Sequence, residues 1–378
     1  MNNDKANIGL ALSGGGIRAT IFHLGVLKWM AENNMLEQIT YISSVSGASL
    51  CIGLIYSCNH LEWPDSQQFL NHVLPDVEKK ILKNDIQTSL IYKVIKLLPS
   101  RFTKKVNMLA KVIKHKWDID GTMADLKGVP IWCANCTTYE TGKRFRITRD
   151  KIGDYTTGFA KNHNLSIADA MAASAGFPFL IGPYRLKRNK YDWGSSEYEN
   201  RNVHISHGKY YHLWDGGVYD NLGLEPLYKI SDENFGGKLN RDVEKELDKD
   251  KEVEYIIVSN AGTPKGYKKR IITSNPKRLL DIAMEQVNSL RTRNIINHIK
   301  FKKEGLFFNI GNTAKYILEF SNCAQSEKDK IIEKCMPVHD AEYVRKYKTT
   351  LSSPSEYDFK MILRHGYEVA ECTHFVYK

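Results

Sequence analysis

Three successive glycines, set between a short apolar run and a helix-periodic one, constrain this chain more than any other feature. Ser13-Gly14-Gly15-Gly16-Ile17-Arg18 joins the run Ile8 to Ser13 to the segment Thr20 to Asn33. The first has the length and composition of a buried strand, and in the second Ile21, Leu24, Leu27 and Met30 recur at helical spacing. Strand, glycine turn, helix is the grammar of a sheet covered by helices. The glycines leave backbone N–H groups uncovered where the helix dipole is positive, which makes the turn a preformed nest for a negative oxygen. It is neither a dinucleotide fingerprint nor a P-loop, because Ala19 stands where a third spaced glycine is required and no Gly-Lys-Ser/Thr follows.

The same grammar recurs. Ile39 to Val45 reads as a second strand that turns at Ser46-Gly47 and leaves as a helix over Ala48 to Tyr56. A serine on so sharp a turn exposes its hydroxyl, and Gly47 and Ala48 meet the demand for small neighbours. Ser44, Ser46 and Ser49 are all available as nucleophiles. Ser46 is preferred because it closes the apolar strand and is followed at once by glycine, whereas Ser49 would already lie in the helix. Farther on, a strand-like Tyr210 to Trp214 delivers Asp215-Gly216-Gly217. A carboxylate at a strand end, freed by two glycines, can accept a serine proton and orient the hydroxyl. The three pieces together account for acyl transfer: Ser46 attacks an ester carbonyl, Asp215 acts as base, and the amides of Gly15, Gly16 and Ile17, with Gly14 in the same motif, hold the oxyanion. Arg18 steadies that loop or attracts a phosphate, and Gly47, Gly216 and Gly217 support the turns.

Charge adds a second strand of inference. The 378 residues carry a formal net charge of +11, which favours an anionic surface. No arginine- and glycine-rich tail or zinc-finger spacing supports a nucleic-acid partner. From Ile86 through Trp117 there is no acidic residue, while Lys93, Lys96, Arg101, Lys104 and Lys105 interleave with apolar positions at helical spacing. Such a segment can lie on an anionic membrane with its lysines snorkelling to the headgroups. A second basic cluster comprises Lys265, Lys268, Lys269, Arg270, Lys277 and Arg278, and the charge run from Asn234 to Glu254 reads as a solvated face. No run approaches the roughly 20 apolar residues that cross a bilayer. No signal peptide is read at the N-terminus, and seven scattered cysteines fit reduced thiols, so a cytoplasmic protein, peripheral to a membrane at most, is expected. Cys133-Ala-Asn-Cys136 has no second pair to complete a zinc site and is expected to be structural. Elsewhere a hairpin over Ile131 to Ile147, a small-residue helix over Ser166 to Ser174, a polar loop from Tyr184 to Lys209, a strand at Glu254 to Ser259 and a long helix over Leu279 to Lys300 are expected. No cofactor and no metal is implied.

Gly14-Gly15-Gly16-Ile17-Arg18, Ser44-Val45-Ser46-Gly47-Ala48 and Asp215-Gly216-Gly217, in that order within residues 7 to 225, resemble the oxyanion motif, nucleophile elbow and Asp-Gly-Gly motif of the patatin-like phospholipases. Ala168 to Pro178 resembles the small-residue segment that lies between serine and aspartate in that family. The elbow departs from Gly-x-Ser-x-Gly at both ends, with Ser44 and Ala48 in place of the glycines. The resemblance implies a lipid acyl hydrolase with a serine–aspartate dyad, and a three-layer α/β/α fold with a mostly parallel central sheet. It implies one catalytic domain over 1–378, with a basic helical insertion around 75–117 and a C-terminal extension from about 265. Phospholipids or lysophospholipids are the expected substrates. The alternatives are a catalytically weak lipid-binding or regulatory protein and a phosphate- or nucleotide-binding protein. His298, His339, His365 and His374 all follow Asp215, the order an α/β-hydrolase triad would use. The glycine loop ahead of the serine and the Asp-Gly-Gly motif favour the dyad.

Overall fold

The computed structural model describes residues 6–96, 105–177, 181–194, 208–230, 237–239, 252–263 and 276–377. Ten strands among them form one sheet, eight in the order Gly305–Asn309, Tyr255–Asn260, Ile8–Leu12, Ile39–Val45, Ile131–Thr138, Arg144–Ile147, Lys151–Asp154 and Gly158–Lys161, with Tyr210–Asp215 also on Ile131–Thr138 and Tyr184–Lys187 on Tyr210–Asp215. The strands β1 (Ile8–Leu12), β2 (Ile39–Val45), β3 (Ile131–Thr138), β11 (Tyr255–Asn260) and β12 (Gly305–Asn309) run parallel to one another. The strands β4 (Arg144–Ile147), β5 (Lys151–Asp154), β6 (Gly158–Lys161), β7 (Tyr184–Lys187) and β8 (Tyr210–Asp215) extend it in antiparallel fashion. A separate two-stranded ribbon joins β9 (Tyr228–Ile230) to β10 (Gly237–Leu239).

Every residue of β1 and β2 is buried, as expected of strands covered on both faces. The larger apolar layer contains α1 (Gly16–Glu32), α2 (Gly47–Cys58), α3 (Leu74–Lys83), α4 (Ile86–Lys96), α5 (Lys105–Lys116) and α6 (Ile167–Ser174). Behind the sheet, Leu222, Leu224 and Leu227, just after α7 (Gly217–Asp220), pack with Ile295 and Ile299 of α8 (Pro276–Lys302). The result is an α/β/α sandwich whose sheet is mixed, with its centre parallel.

Helix α1 is buried nearly all round because a second layer of helix covers it. After α9 (Val338–Lys346), the last helix, α10 (Glu356–Tyr377), crosses α1 where glycines meet. A Cβ on Gly25 would lie 2.0 Å from the Leu363 carbonyl oxygen, and one on Gly366 would lie 2.1 Å from that of Phe22. Only bare backbone permits this approach.

The segment read as a polar loop from Tyr184 begins instead as strand β7. The pairing with β8 supplies its backbone partners, and the Arg185 guanidinium covers the Tyr210 ring at 4.4 Å. The Cys133-x-x-Cys136 pair lies on β3, where a three-residue offset sends the two thiols to opposite faces: Cys133 joins the smaller apolar cluster and Cys136 the larger. Among the described residues no helix is long and apolar enough to cross a membrane.

Candidate active site

Register brings serine and aspartate together. On one edge of β3, Ala134 and Asn135 pair with Ser44 and Val45 of β2, and the next residue, Cys136, pairs with Asp215 of β8. The opposite edge of β3 is occupied by β4, so β2 and β8 share a single slot and run toward each other in it. Each strand ends where the other does: β2 delivers Ser46 and β8 delivers Asp215.

Ser46 has φ 54° and ψ −117°, a backbone conformation that a non-glycine residue holds only under constraint, at a cost of about 1–3 kcal/mol. Two contacts enforce it. The Ser46 N–H donates to the Ser174 hydroxyl at 3.0 Å, and Gly47 backs onto the glycine loop so closely that a Cβ there would lie 2.1 Å from the Gly16 carbonyl oxygen. The Ser46 side chain lies close enough to the Asp215 carboxylate to favour its charged form. Asp215 is 3% exposed. Burial pushes its carboxyl up to about 6, against the opposing effect of the bond from the Gly217 N–H, at 2.7 Å, and of the nearby Ser46 hydroxyl. The Gly216 N–H donates to the Ser174 carbonyl at 3.3 Å and the Thr137 hydroxyl to the Asp215 carbonyl at 3.0 Å, which fixes the end of β8.

The glycine loop meets this pair from β1. Gly15 and Gly16 adopt φ 153° and 62°, values that a side chain would oppose. Of the four amides expected to form the nest, two are already committed. The Gly14 N–H donates to the Asn221 carbonyl at 3.1 Å, and the Ile17 N–H donates to the Thr350 carbonyl at 2.8 Å. The N–H groups of Gly15 and Gly16 have no partner among the described residues. Gly14 contributes space instead, since a Cβ there would stand 3.1 Å from the Ser46 Cβ and 2.6 Å from the Asn221 side chain. The nest is therefore narrower than the sequence suggested.

Arg18 is buried. Its guanidinium donates to the Tyr347 carbonyl and, at 3.2 Å, to the Ala261 carbonyl, and burial lowers it to about 10. Of its two expected roles, steadying the loop fits this geometry and attracting a phosphate does not. His23 lies beneath the same loop, with Nε2 2.9 Å from the Ser13 carbonyl and Nδ1 2.8 Å from the Ser259 hydroxyl. A carbonyl only accepts, so Nε2 carries the proton and the Ser259 hydroxyl donates to Nδ1. Burial holds this imidazole down to about 4.

Ser44 and Ser49, the other candidate nucleophiles, are fully buried and spent on a directed chain. The Trp132 indole donates to Ser44, Ser44 to Ser49, Ser49 to Ser174, and Ser174 to the Asn135 carbonyl, each at 2.8 Å. The direction follows because the indole only donates and the carbonyl only accepts. Ser174 and Asn135 were not singled out from the sequence. Ser174 lies in the small-residue segment, where only its polarity among alanines marks it.

The four downstream histidines bond elsewhere. His365 contacts the Ile310 carbonyl at 2.8 Å, His298 lies beside Glu304, His339 beside Asp340, and His374 against the Trp29 ring. Of the basic positions, Lys105 opens α5 and is half-buried, Lys93 and Lys96 are placed only as positions on α4, and Arg101 and Lys104 lie outside the described residues. Lys265, Lys268, Lys269 and Arg270 also lie outside them.

Human cytosolic phospholipase A2 gamma is 47% identical over 45 residues, which is 12% of this chain and 8% of that protein. The solved structure of human GIVD cytosolic phospholipase A2 is similar with a TM-score of 0.53 at 11% identity, covering 100% of this chain and 61% of that one. VipD from Legionella pneumophila gives a TM-score of 0.40 at 13% identity, over 98% of this chain and 67% of that one. The GIVD likeness establishes the shared α/β/α fold, and the present chain spans less than two thirds of that relative's length. The family model for patatin-like phospholipases matches residues 10–228, a range that holds the glycine loop, the serine turn and the Asp-Gly-Gly motif, and the chain belongs to the patatin-like phospholipase family.

Proposed function

We propose that this protein hydrolyses acyl esters of phospholipids or lysophospholipids through a Ser46–Asp215 dyad. The observation that carries the reading is the sheet register that sets a strained, turn-borne Ser46 beside the buried Asp215 carboxylate, next to two glycine amides that have no partner among the described residues. In the first half-reaction Asp215 takes the Ser46 proton as Oγ bonds to the ester carbonyl carbon. The carbonyl electrons move to oxygen, which accepts from the Gly15 and Gly16 N–H groups at the positive end of α1. Collapse breaks the bond to the leaving alcohol, which receives the proton from Asp215. In the second half-reaction Asp215 deprotonates a water, which attacks the acyl-serine, and the fatty acid leaves as Ser46 regains its proton. A carboxyl raised to about 6 is still ionised at neutral pH and is a stronger base than an ordinary carboxylate.

The net charge of +11 and the acid-free stretch from Ile86 to Trp117 support docking on an anionic interface, with Lys93, Lys96, Arg101, Lys104 and Lys105 as its contacts. The test is to incubate wild type, Ser46→Ala and Asp215→Ala with defined phospholipids, lysophospholipids and neutral esters, in anionic and neutral vesicles, and to identify the released fatty acids. Either substitution should lower release by at least about a thousandfold. Wild-type release should be faster from anionic vesicles, and that advantage should shrink as salt rises. Equal release by the variants removes the dyad, release only from neutral esters removes the phospholipid assignment, and indifference to vesicle charge removes the docking surface.

A further inference from the structure

The glycine loop is held from outside its own sheet. Between α9 and α10 the chain passes over the start of α1, where the Thr350 carbonyl accepts the Ile17 N–H at 2.8 Å. A Cβ on Gly16 would lie 2.6 Å from that same carbonyl oxygen, so the Thr350 peptide rests directly on the residue that carries one of the two open amides. Arg18 grips the Tyr347 carbonyl three residues earlier in this strap. The strap is positioned by Gln87, in the first turn of α4. One oxygen, Gln87 Oε1, accepts the Thr350 hydroxyl at 2.6 Å and the Leu351 N–H at 3.0 Å, and the Gln87 N–H donates to the Leu351 carbonyl at 3.3 Å. The Thr350 hydroxyl also exchanges bonds with Ser352, and the Ser353 hydroxyl donates to the Ile81 and Leu82 carbonyls at the end of α3.

We propose that Gln87 is a positioning residue for the reaction: through Thr350 it fixes the Ile17 amide and so aims the free Gly15 and Gly16 amides at the developing oxyanion. The proposal rests on the Ser46 reading given above. An oxyanion donor is effective only when it already points at the charge that forms, so a loop that can swing loses transition-state stabilisation without losing substrate binding. The Asn221 and Thr350 carbonyls hold the loop's amides, the Tyr347 and Ala261 carbonyls hold Arg18, and Gln87 Oε1 holds the strap that carries Thr350. Of these, Gln87 is the side chain whose acceptor can be removed while its shape is kept.

The test uses Gln87→Met, which preserves length and removes the acceptor, and Gln87→Glu, which keeps an accepting oxygen. Hydrolysis of a monomeric short-chain ester is measured per active site, counted by fluorophosphonate labelling of Ser46, with thermal unfolding of each variant alongside. Gln87→Met should lower kcat about tenfold with KM changed by less than about twofold, and Gln87→Glu should stay within about threefold of wild type. Wild-type kcat in Gln87→Met, or equal losses in both variants tracking a common fall in unfolding temperature, overturns the proposal. Ser46→Ala, run in parallel, separates the two levels. If it is inactive while Gln87→Met is normal, only the positioning role falls. If it hydrolyses the ester as wild type does, the Ser46 reading falls and takes this one with it.

Discussion

Asp215, the base of the proposed dyad, also bears on stability. Its carboxyl titrates at about 6 in the folded protein against an ordinary 3.8, chiefly because burial disfavours the charge. The native state therefore holds this proton more tightly than the unfolded chain does. The stabilisation is fully present below pH 3.8 and is lost as pH rises through about 6. Above neutrality the ionised carboxylate costs the fold roughly 3 kcal/mol, given 1.36 kcal/mol for each pH unit. Asp215→Asn keeps an oxygen for the Gly217 N–H and removes that charge. Denaturant titration at pH 8 should find it more stable than wild type by roughly 2–3 kcal/mol, and inactive. Wild-type kcat/KM should rise with pH through an apparent value near 6, as expected of a base that must lose its proton. Ser46 and Asp215 were both legible in the sequence, since a serine between strand and glycine and an aspartate before two glycines carry local signals. Which amides stay open was not, because Asn221 and Thr350 occupy two of them from distant parts of the chain.

At the scale of elements, local periodicity found β1, β2, α2, β11 and α8 to within a few residues of their ends, because each is a continuous apolar or helix-periodic run. Helix α1 begins four residues before the expected Thr20, at Gly16. A non-local acceptor on Thr350 satisfies the amide that local reasoning left exposed. Strand β7 and the shared slot of β2 and β8 escaped for a similar reason, since both depend on partners that only the folded sheet supplies. The crossing of α1 and α10 is another such element, visible in sequence only as two isolated glycines. Gly366→Ala would press a methyl group into the Phe22 carbonyl, and neither backbone can withdraw without moving a whole helix. It should destabilise the protein by about 3 kcal/mol, read as an earlier urea midpoint with an unchanged slope. Because α1 begins at the glycine loop, activity should fall in step with stability.

At the scale of the whole molecule, the candidate site draws on residues from Gly14 to Thr350. The family match ends at residue 228, yet β11, β12, the strap and α10 lie beyond it and pack against β1 and α1. The final third of the chain thus abuts the loop that the proposed reaction needs. The sequence marked that third by one strand, one long helix and a basic cluster, and not by its grip on the loop, because that grip is made through backbone carbonyls, which any residue provides. In this arrangement Ser46 is the proposed nucleophile. The most direct measurement is to treat wild type, Ser46→Ala and Asp215→Asn with a long-chain alkyl fluorophosphonate and to follow intact mass and peptide mapping. One adduct per wild-type chain is expected, on the peptide containing Ser46, absent from Ser46→Ala and slowed by orders of magnitude in Asp215→Asn. An adduct on another residue, or undiminished labelling of Ser46→Ala, would contradict that assignment.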